Sequence, residues 1–146
     1  MIARFDPAIQ KVVRQARTRL RKRLPAAVEL VYDNYNALVI GFGPSERASE
    51  AVMSIALYPR WVTLFFLDGA RLADPARRLK GSGTRVRHVV LGEVAVLDEP
   101  PVRALIRQAL ARADPPIDAR ARRRMAIRAV SAKQRPRRPP PARTKR

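Results

Sequence analysis

The hydrophobic pattern at the start of the chain has helical periodicity. In residues 6–24 apolar side chains recur every three or four positions, which predicts a helix with one buried face. Asp6 is placed to cap the first turn, and Pro7 suits the first helical position. A second stretch of this kind follows Pro100-Pro101, with apolar residues at Val102, Leu105, Ile106, Ala109 and Leu110. The pattern therefore predicts two long amphipathic helices.

Between these helices the spacing is typical of strands. Alternating or continuous apolar runs predict strands at residues 28–32, 37–42, 52–58, 61–67 and 85–91, with a further short strand at 94–97. In the 85–91 strand we expect Val86, His88 and Val90 to face inward. Because strands follow one another without a helix between each pair, we expect an α+β fold. Its largely antiparallel sheet would have about five to six strands, with the two long helices on one face.

Asp74-Pro75 repeats the combination of capping residue and proline that begins the first helix. This pair predicts a short helix through Leu79 that ends at Gly81.

Composition narrows the class of protein. The 146 residues are enough for one domain, and 47% of them are apolar. Cysteine is absent and His88 is the one histidine, which excludes disulfides, a thiol nucleophile and cysteine-ligated zinc. Because no apolar run approaches the roughly 20 residues that span a bilayer and no secretory signal is visible, we expect a cytoplasmic protein without a membrane partner.

The formal net charge of +19 is unevenly distributed. Residues 1–24 hold eight basic residues and one acid, residues 25–119 hold eleven of each, and residues 120–146 hold twelve basic residues and no acid. We expect a neutral globule between two cationic ends. An alternative interpretation is that the arginines reflect genome composition on an ordinary solvated surface.

The C-terminal segment is expected to lie outside the domain. The predicted boundary separates an α+β domain at 1–118 from a basic Arg/Pro-rich tail at 119–146, mostly disordered, with weak helical character at 120–134. Such a tail binds nucleic acid or another polyanion by releasing counterions. The candidate nucleic-acid contacts are Arg122, Arg123, Arg124, Arg128, Lys133, Arg135, Arg137 and Arg138. An inert solubilising extension is the alternative.

A glycine-containing loop is the candidate site for a small anionic ligand. Its two glycines allow close approach to backbone N–H groups, while hydroxyl and cationic side chains surround them. The candidates are Lys80, Gly81, Ser82, Gly83, Thr84, Arg85, Arg87 and His88. The alternative is that Gly81 only caps a helix, Gly83 only turns the chain, and His88 is a core residue.

Several turn and polar residues recur together in residues 67–91: Asp68-Gly69-Ala70, Leu72, Asp74-Pro75, Leu79, Gly81-x-Gly83 and Arg87-His88-Val89. With Tyr58-Pro59-Arg60-Trp61 and the segment 131–137, this stretch resembles the YdhG-like domain family over roughly residues 8–137. The resemblance implies a small α+β fold in the cytoplasm. Since some relatives are described as frataxin-like iron chaperones, it also implies that function as the alternative, with iron as the cofactor in that case.

The residues favour a binding module over an enzyme. No nucleophile, base and orienting group can be assembled from the sequence, and no metal-ligand spacing is present, so we predict no catalytic residues, no metal ligands and no cofactor. We expect a YdhG-like binding module whose tail contacts nucleic acid or another polyanion without reading sequence.

Overall fold

A computed structural model describes residues 1–140 as two α-helices and one six-stranded sheet. The strand order is β5-β4-β3-β2-β1-β6, and every neighbouring pair is antiparallel except β1 and β6, which are parallel. The elements are α1 Pro7–Arg23, β1 Val28–Asp33, β2 Leu38–Gly43, β3 Met53–Leu57, β4 Val62–Phe66, β5 Arg87–Leu91, α2 Pro100–Ala111 and β6 Arg124–Val130. The predicted α+β class with a largely antiparallel sheet is confirmed.

Helix α1 buries the face that its periodicity predicts, with Ile9, Val13, Ala16 and Leu20 in the core. Asp6 occupies the position before the first helical residue but makes no side-chain capping hydrogen bond. Its carboxylate lies 3.8 Å from the guanidinium of Arg138 instead. The predicted capping role of Asp6 is therefore wrong, since an arginine from the C-terminal segment lies beside the carboxylate.

The hydrophobic core lies between the two helices and one face of the sheet. Ile40, Ile55, Leu64 and Val89 are paired in register across four strands, so their side chains line the same face, and all four are buried. The apolar face of α2 joins the same core through Val102, Leu105, Ile106 and Ala109. Both helices thus cover one face of the sheet, as predicted.

In β5 the residues that face the core are the alternate set to the one predicted. Val89 and Leu91 are buried, while Val86 and Val90 are 44% and 43% exposed. The register with β4 places Val89 beside Leu64 on the face that the helices cover. Both alternating sets of residues contain apolar side chains, so the alternation alone could not show which set is buried.

Two short elements also differ from the predictions. Asp74-Pro75 begins a turn and not a helix, because the Asp74 carboxylate accepts hydrogen bonds from the backbone N–H groups of Arg78 and Leu79, both at 2.9 Å. Such local bonds compete with a helical backbone. The predicted strand at 94–97 is a 3₁₀ turn, Val94–Asp98. Its residues lie between the sheet and the two helices, where Leu97 is buried.

The predicted disordered tail is wrong for most of its described length, and so is its weak helical character. Residues 124–130 form β6, which pairs with β1 in the same sheet, so the sheet continues past the predicted boundary at residue 118. Tertiary pairing here overrides local propensity, because the outer edge of β1 pairs with six residues of the segment. Residues 141–146 of the predicted tail lie outside the described residues.

Beyond β6 the chain is held by an ion pair in the protein interior. Arg137 is only 3% exposed, and its guanidinium donates to the Asp33 carboxylate at 2.8 Å and to the Asn34 carbonyl. The same guanidinium carbon lies 5.6 Å from the centre of the Phe5 ring. Because Asp33 is also buried, each charge depends on the other for neutralisation.

Replacing Arg137 with Ala should lower the free energy of unfolding by about 3 kcal/mol, because it leaves the Asp33 carboxylate buried without a counterion. Chemical denaturation measures the effect. The matched control is Arg135→Ala, which removes an exposed arginine from the same segment. Equal effects of the two substitutions would contradict a stabilising role for the buried pair.

Candidate nucleic-acid interface

Four of the five arginines of α1 lie in ion pairs with acids of the central region, whereas the charge distribution predicts a free cationic end. Arg17 and Arg21 both pair with the buried carboxylate of Glu29, at 2.7 and 2.6 Å. Arg19 and Arg23 both pair with Asp98, at 3.0 and 2.6 Å. The predicted separation into a neutral globule and two independent cationic ends is therefore wrong, because two acids of the central region pair with four arginines of the first helix.

Asp98 shows the electrostatic consequence of this pairing. Desolvation alone would raise the pKa of the carboxyl, but hydrogen bonds and charge from Arg19 and then Arg23 outweigh it and lower the pKa below its ordinary value. Arg23 also donates to the Leu97 carbonyl at 2.7 Å. Ion pairs and a hydrogen bond thus connect the C-terminal end of α1 to the 3₁₀ turn at 94–98.

The substitution Asp98→Asn should lower the urea midpoint at pH 7. A carboxyl whose pKa is depressed by folding stabilises the folded state above its unfolded pKa, and this contribution disappears as the pH falls through the lowered value. The difference in urea midpoint between wild type and variant should therefore become smaller when unfolding is measured at successively lower pH. A difference in midpoint that stays constant from pH 7 to acidic pH would contradict the stabilising role of the Asp98 carboxylate.

The predicted anion-binding loop lies on an open surface. Lys80 and His88 form an isolated β-bridge that closes the loop, and residues 81–86 between them are exposed. Gly81 has a φ of 126°, a backbone conformation that favours glycine. The Arg87 guanidinium donates to the carbonyls of Gly83 and Val86, so it holds the loop's own backbone.

Of the candidate ligand residues in this loop, the structure brings Arg85 to a cavity of about 180 Å³. Arg85 lies there 3.8 Å from Asp68, whose Oδ1 has no hydrogen-bond partner, and Arg112 of α2 lines the same cavity. His88 points elsewhere: it is half-buried with its ring 5.5 Å from that of Phe65. The cavity thus combines one loop residue with charges of both signs from other elements.

The C-terminal candidates for nucleic-acid contact differ in their exposure and in their ion pairs. Arg137 is buried against Asp33 and cannot reach a polyanion, so its predicted role in nucleic-acid binding is wrong. Arg138 is exposed and lies near Asp6. Seven basic side chains between residues 120 and 135 are exposed on or beside β6, the last strand of the sheet, and we call them the cationic edge: Arg120, Arg122, Arg123, Arg124, Arg128, Lys133 and Arg135.

Few carboxylates oppose the cationic edge. Glu46 lies 3.7 Å from Arg124 and 4.0 Å from Arg128, and it is itself about half exposed. The remaining five cations form no ion pair with a carboxylate of residues 1–140. β6 alone extends the edge over about 20 Å, at ~3.3 Å per residue.

An aromatic cleft lies where the C-terminal segment leaves β6. It has a volume of about 850 Å³ and is lined by the β1–β2 turn, the β3–β4 turn and the residues after Arg135. Trp61 and Tyr35 are 46% and 48% exposed, and Trp61 stacks on Tyr58 with 4.9 Å between ring centres. Arg60, which lies between Tyr58 and Trp61 in the sequence, also lines the cleft.

The aromatic cleft could not be predicted from the sequence pattern. Aromatics on adjacent strands indicate core, which is correct for Phe42 and Phe66, both fully buried. Trp61 is predicted to begin the strand at 61–67, but it lies just before β4 and is exposed. No sequence signal places Arg135 against Tyr35, because that contact depends on how residues 131–140 fold back.

Comparisons with family models, curated proteins and solved structures found no match for this chain. In residues 1–140 no helix is long and apolar enough to cross a membrane. The same residues contain no group of three or more His, Cys, Asp or Glu side chains that could hold a metal ion.

Proposed function

We propose that this protein is a non-enzymatic binding module that contacts nucleic acid, or a polyanion of similar charge density, through the cationic edge. The contact would be with the phosphate backbone and would not read sequence. The YdhG-like membership and the cytoplasmic location belong to the same proposal. They are supported by the turn and polar residues of 67–91 that carry the resemblance.

The observation that supports the proposal best is the fixed arrangement of exposed cations along β6. Strand pairing with β1 holds the backbone of residues 124–130, so Arg124 and Arg128 keep a defined spacing, and the other five cations lie in the segments that flank the strand. A disordered chain of the same composition would lose conformational entropy on binding, whereas a strand has already lost it on folding. The part of the edge that lies on β6 is therefore preorganised for an extended anion.

Charge balance adds a second support. The excess of 31 basic over 12 acidic residues means that most cations cannot find an acidic partner within the chain. Glu29 and Asp98 offset two of the seven positive charges of α1, and residues 120–135 add seven exposed cations that only Glu46 opposes among the carboxylates of residues 1–140. Such a one-sided field raises the rate of encounter with a polyanion.

Replacing Arg122 and Arg123 together with Gln should weaken the binding of a nucleic-acid oligomer several-fold at low salt. If two phosphate contacts are lost, the slope of log K against log[salt] should become shallower by roughly 1.4 to 1.8. Fluorescence anisotropy with a labelled 15-nucleotide oligomer, titrated at several salt concentrations, measures both quantities.

The control makes the same change of charge on α2, at the exposed residues Arg103 and Arg107. Both double variants carry the same net charge, so an effect of net charge alone would lower the affinity of both variants equally. If the α2 variant loses as much affinity as the edge variant, binding is not localised to the cationic edge. If wild type binds no oligomer at low salt, the proposed function is wrong.

A further inference from the structure

The aromatic cleft is built by three segments that meet at one end of the sheet. The register places Asp33, Leu38, Leu57 and Val62 in one row across β1 to β4, so the turns that follow β1 and β3 lie side by side. β6 runs parallel to β1 and leaves the sheet at the same end. The cationic edge therefore leads directly into the cleft.

Backbone hydrogen bonds hold the C-terminal segment in place there. The Arg135 N–H donates to the Tyr35 carbonyl at 2.9 Å, and the Ser131 N–H donates to the Asp33 carbonyl at 2.8 Å. The buried Arg137 fixes the segment further along. The wall of the cleft that residues 135–140 form is thus held by hydrogen bonds to the folded domain.

The aromatic rings of the cleft are open to a planar ligand. Trp61 is supported by Tyr58, whose ring plane lies at 23° to its own, and nearly half of its surface remains exposed. The guanidinium carbon of Arg135 lies 5.9 Å from the centre of the exposed Tyr35 ring. Exposed aromatic rings next to arginine are the groups on which unpaired nucleobases stack.

The charges around the cleft match a phosphate backbone. Arg60, Arg135 and Arg138 line it, and no carboxylate is among its described lining residues. Arg60 and Arg135 form no ion pair with a carboxylate of residues 1–140. A base could therefore lie against the rings while its neighbouring phosphates contact arginine.

We propose that the cleft formed by Tyr35, Tyr58 and Trp61 binds unpaired bases, so that the protein selects single-stranded over double-stranded nucleic acid. This inference rests on the proposed function: the cationic edge supplies affinity for the backbone, and the cleft adds contacts that a duplex cannot make because its bases are stacked inside. Base identity contributes little, since every nucleobase has an aromatic face.

Trp61 is the one tryptophan of the chain, so its fluorescence reports on the cleft directly. Titration of the full chain with oligothymidine of 15 nucleotides should quench this fluorescence. An abasic oligomer of equal length and charge should bind more weakly and leave the fluorescence nearly unchanged. A 15-base-pair duplex should likewise leave it nearly unchanged, and oligouridine should act as oligothymidine does.

The variant Trp61→Leu should bind oligothymidine about tenfold more weakly, the loss expected for one stacked base, while its affinity for the duplex is unchanged. Trp61→Phe keeps a ring and should retain most of the affinity. Circular dichroism confirms that each variant folds, which is expected because the side chain is half exposed. The salt dependence of Trp61→Leu should equal that of wild type, since no charge has changed.

Two results would overturn the inference, and they are distinguishable from each other. If the abasic oligomer and oligothymidine bind and quench equally, and Trp61→Leu binds both like wild type, the cleft takes no base although the polyanion function stands. If no oligomer binds at low salt, the cleft and the proposed function both fail.

Discussion

Strand β1 places two carboxylates, Glu29 and Asp33, on the face of the sheet that the helices cover, where both are buried. A buried carboxylate is costly unless a cation with good hydrogen-bond geometry lies against it. Arg17 and Arg21 of α1 satisfy Glu29, and Arg137 satisfies Asp33. These pairs join α1 and the C-terminal segment to β1, beside the apolar contacts that α1 makes with the core.

The return of the C-terminal segment explains both surfaces proposed for binding. Once residues 124–130 pair with β1, Arg124 and Arg128 have fixed positions on the sheet, and the other basic residues of the edge come before and after the strand. Once Arg137 reaches Asp33, residues 131–140 lie beside Tyr35 and close one wall of the aromatic cleft. The positive charge is therefore divided by function: arginines that meet a buried carboxylate stabilise the fold, and those left along the edge are available to an anion.

Predictions from the sequence were good where the signal is local and strong. The spacing of apolar residues located both helices, and the strands before residue 67 lie where their runs predict. They failed where two local signals compete or where a distant partner decides. Asp74-Pro75 has the features of a helix start, yet the carboxylate closes a turn. For 124–130, weak helical character gave way to pairing with an edge about a hundred residues earlier in the chain.

The amino-acid sequence by itself determined the two amphipathic helices, the apolar strands of the sheet and the large excess of positive charge, because periodicity and composition involve only near neighbours. The tertiary structure alone decided which arginines are neutralised, since Arg137 and Asp33 are 104 residues apart. It also decided that Trp61 and Tyr35 stay exposed at one cleft. Burial and charge compensation are properties of contacts between distant segments, so neither can be obtained from spacing along the chain.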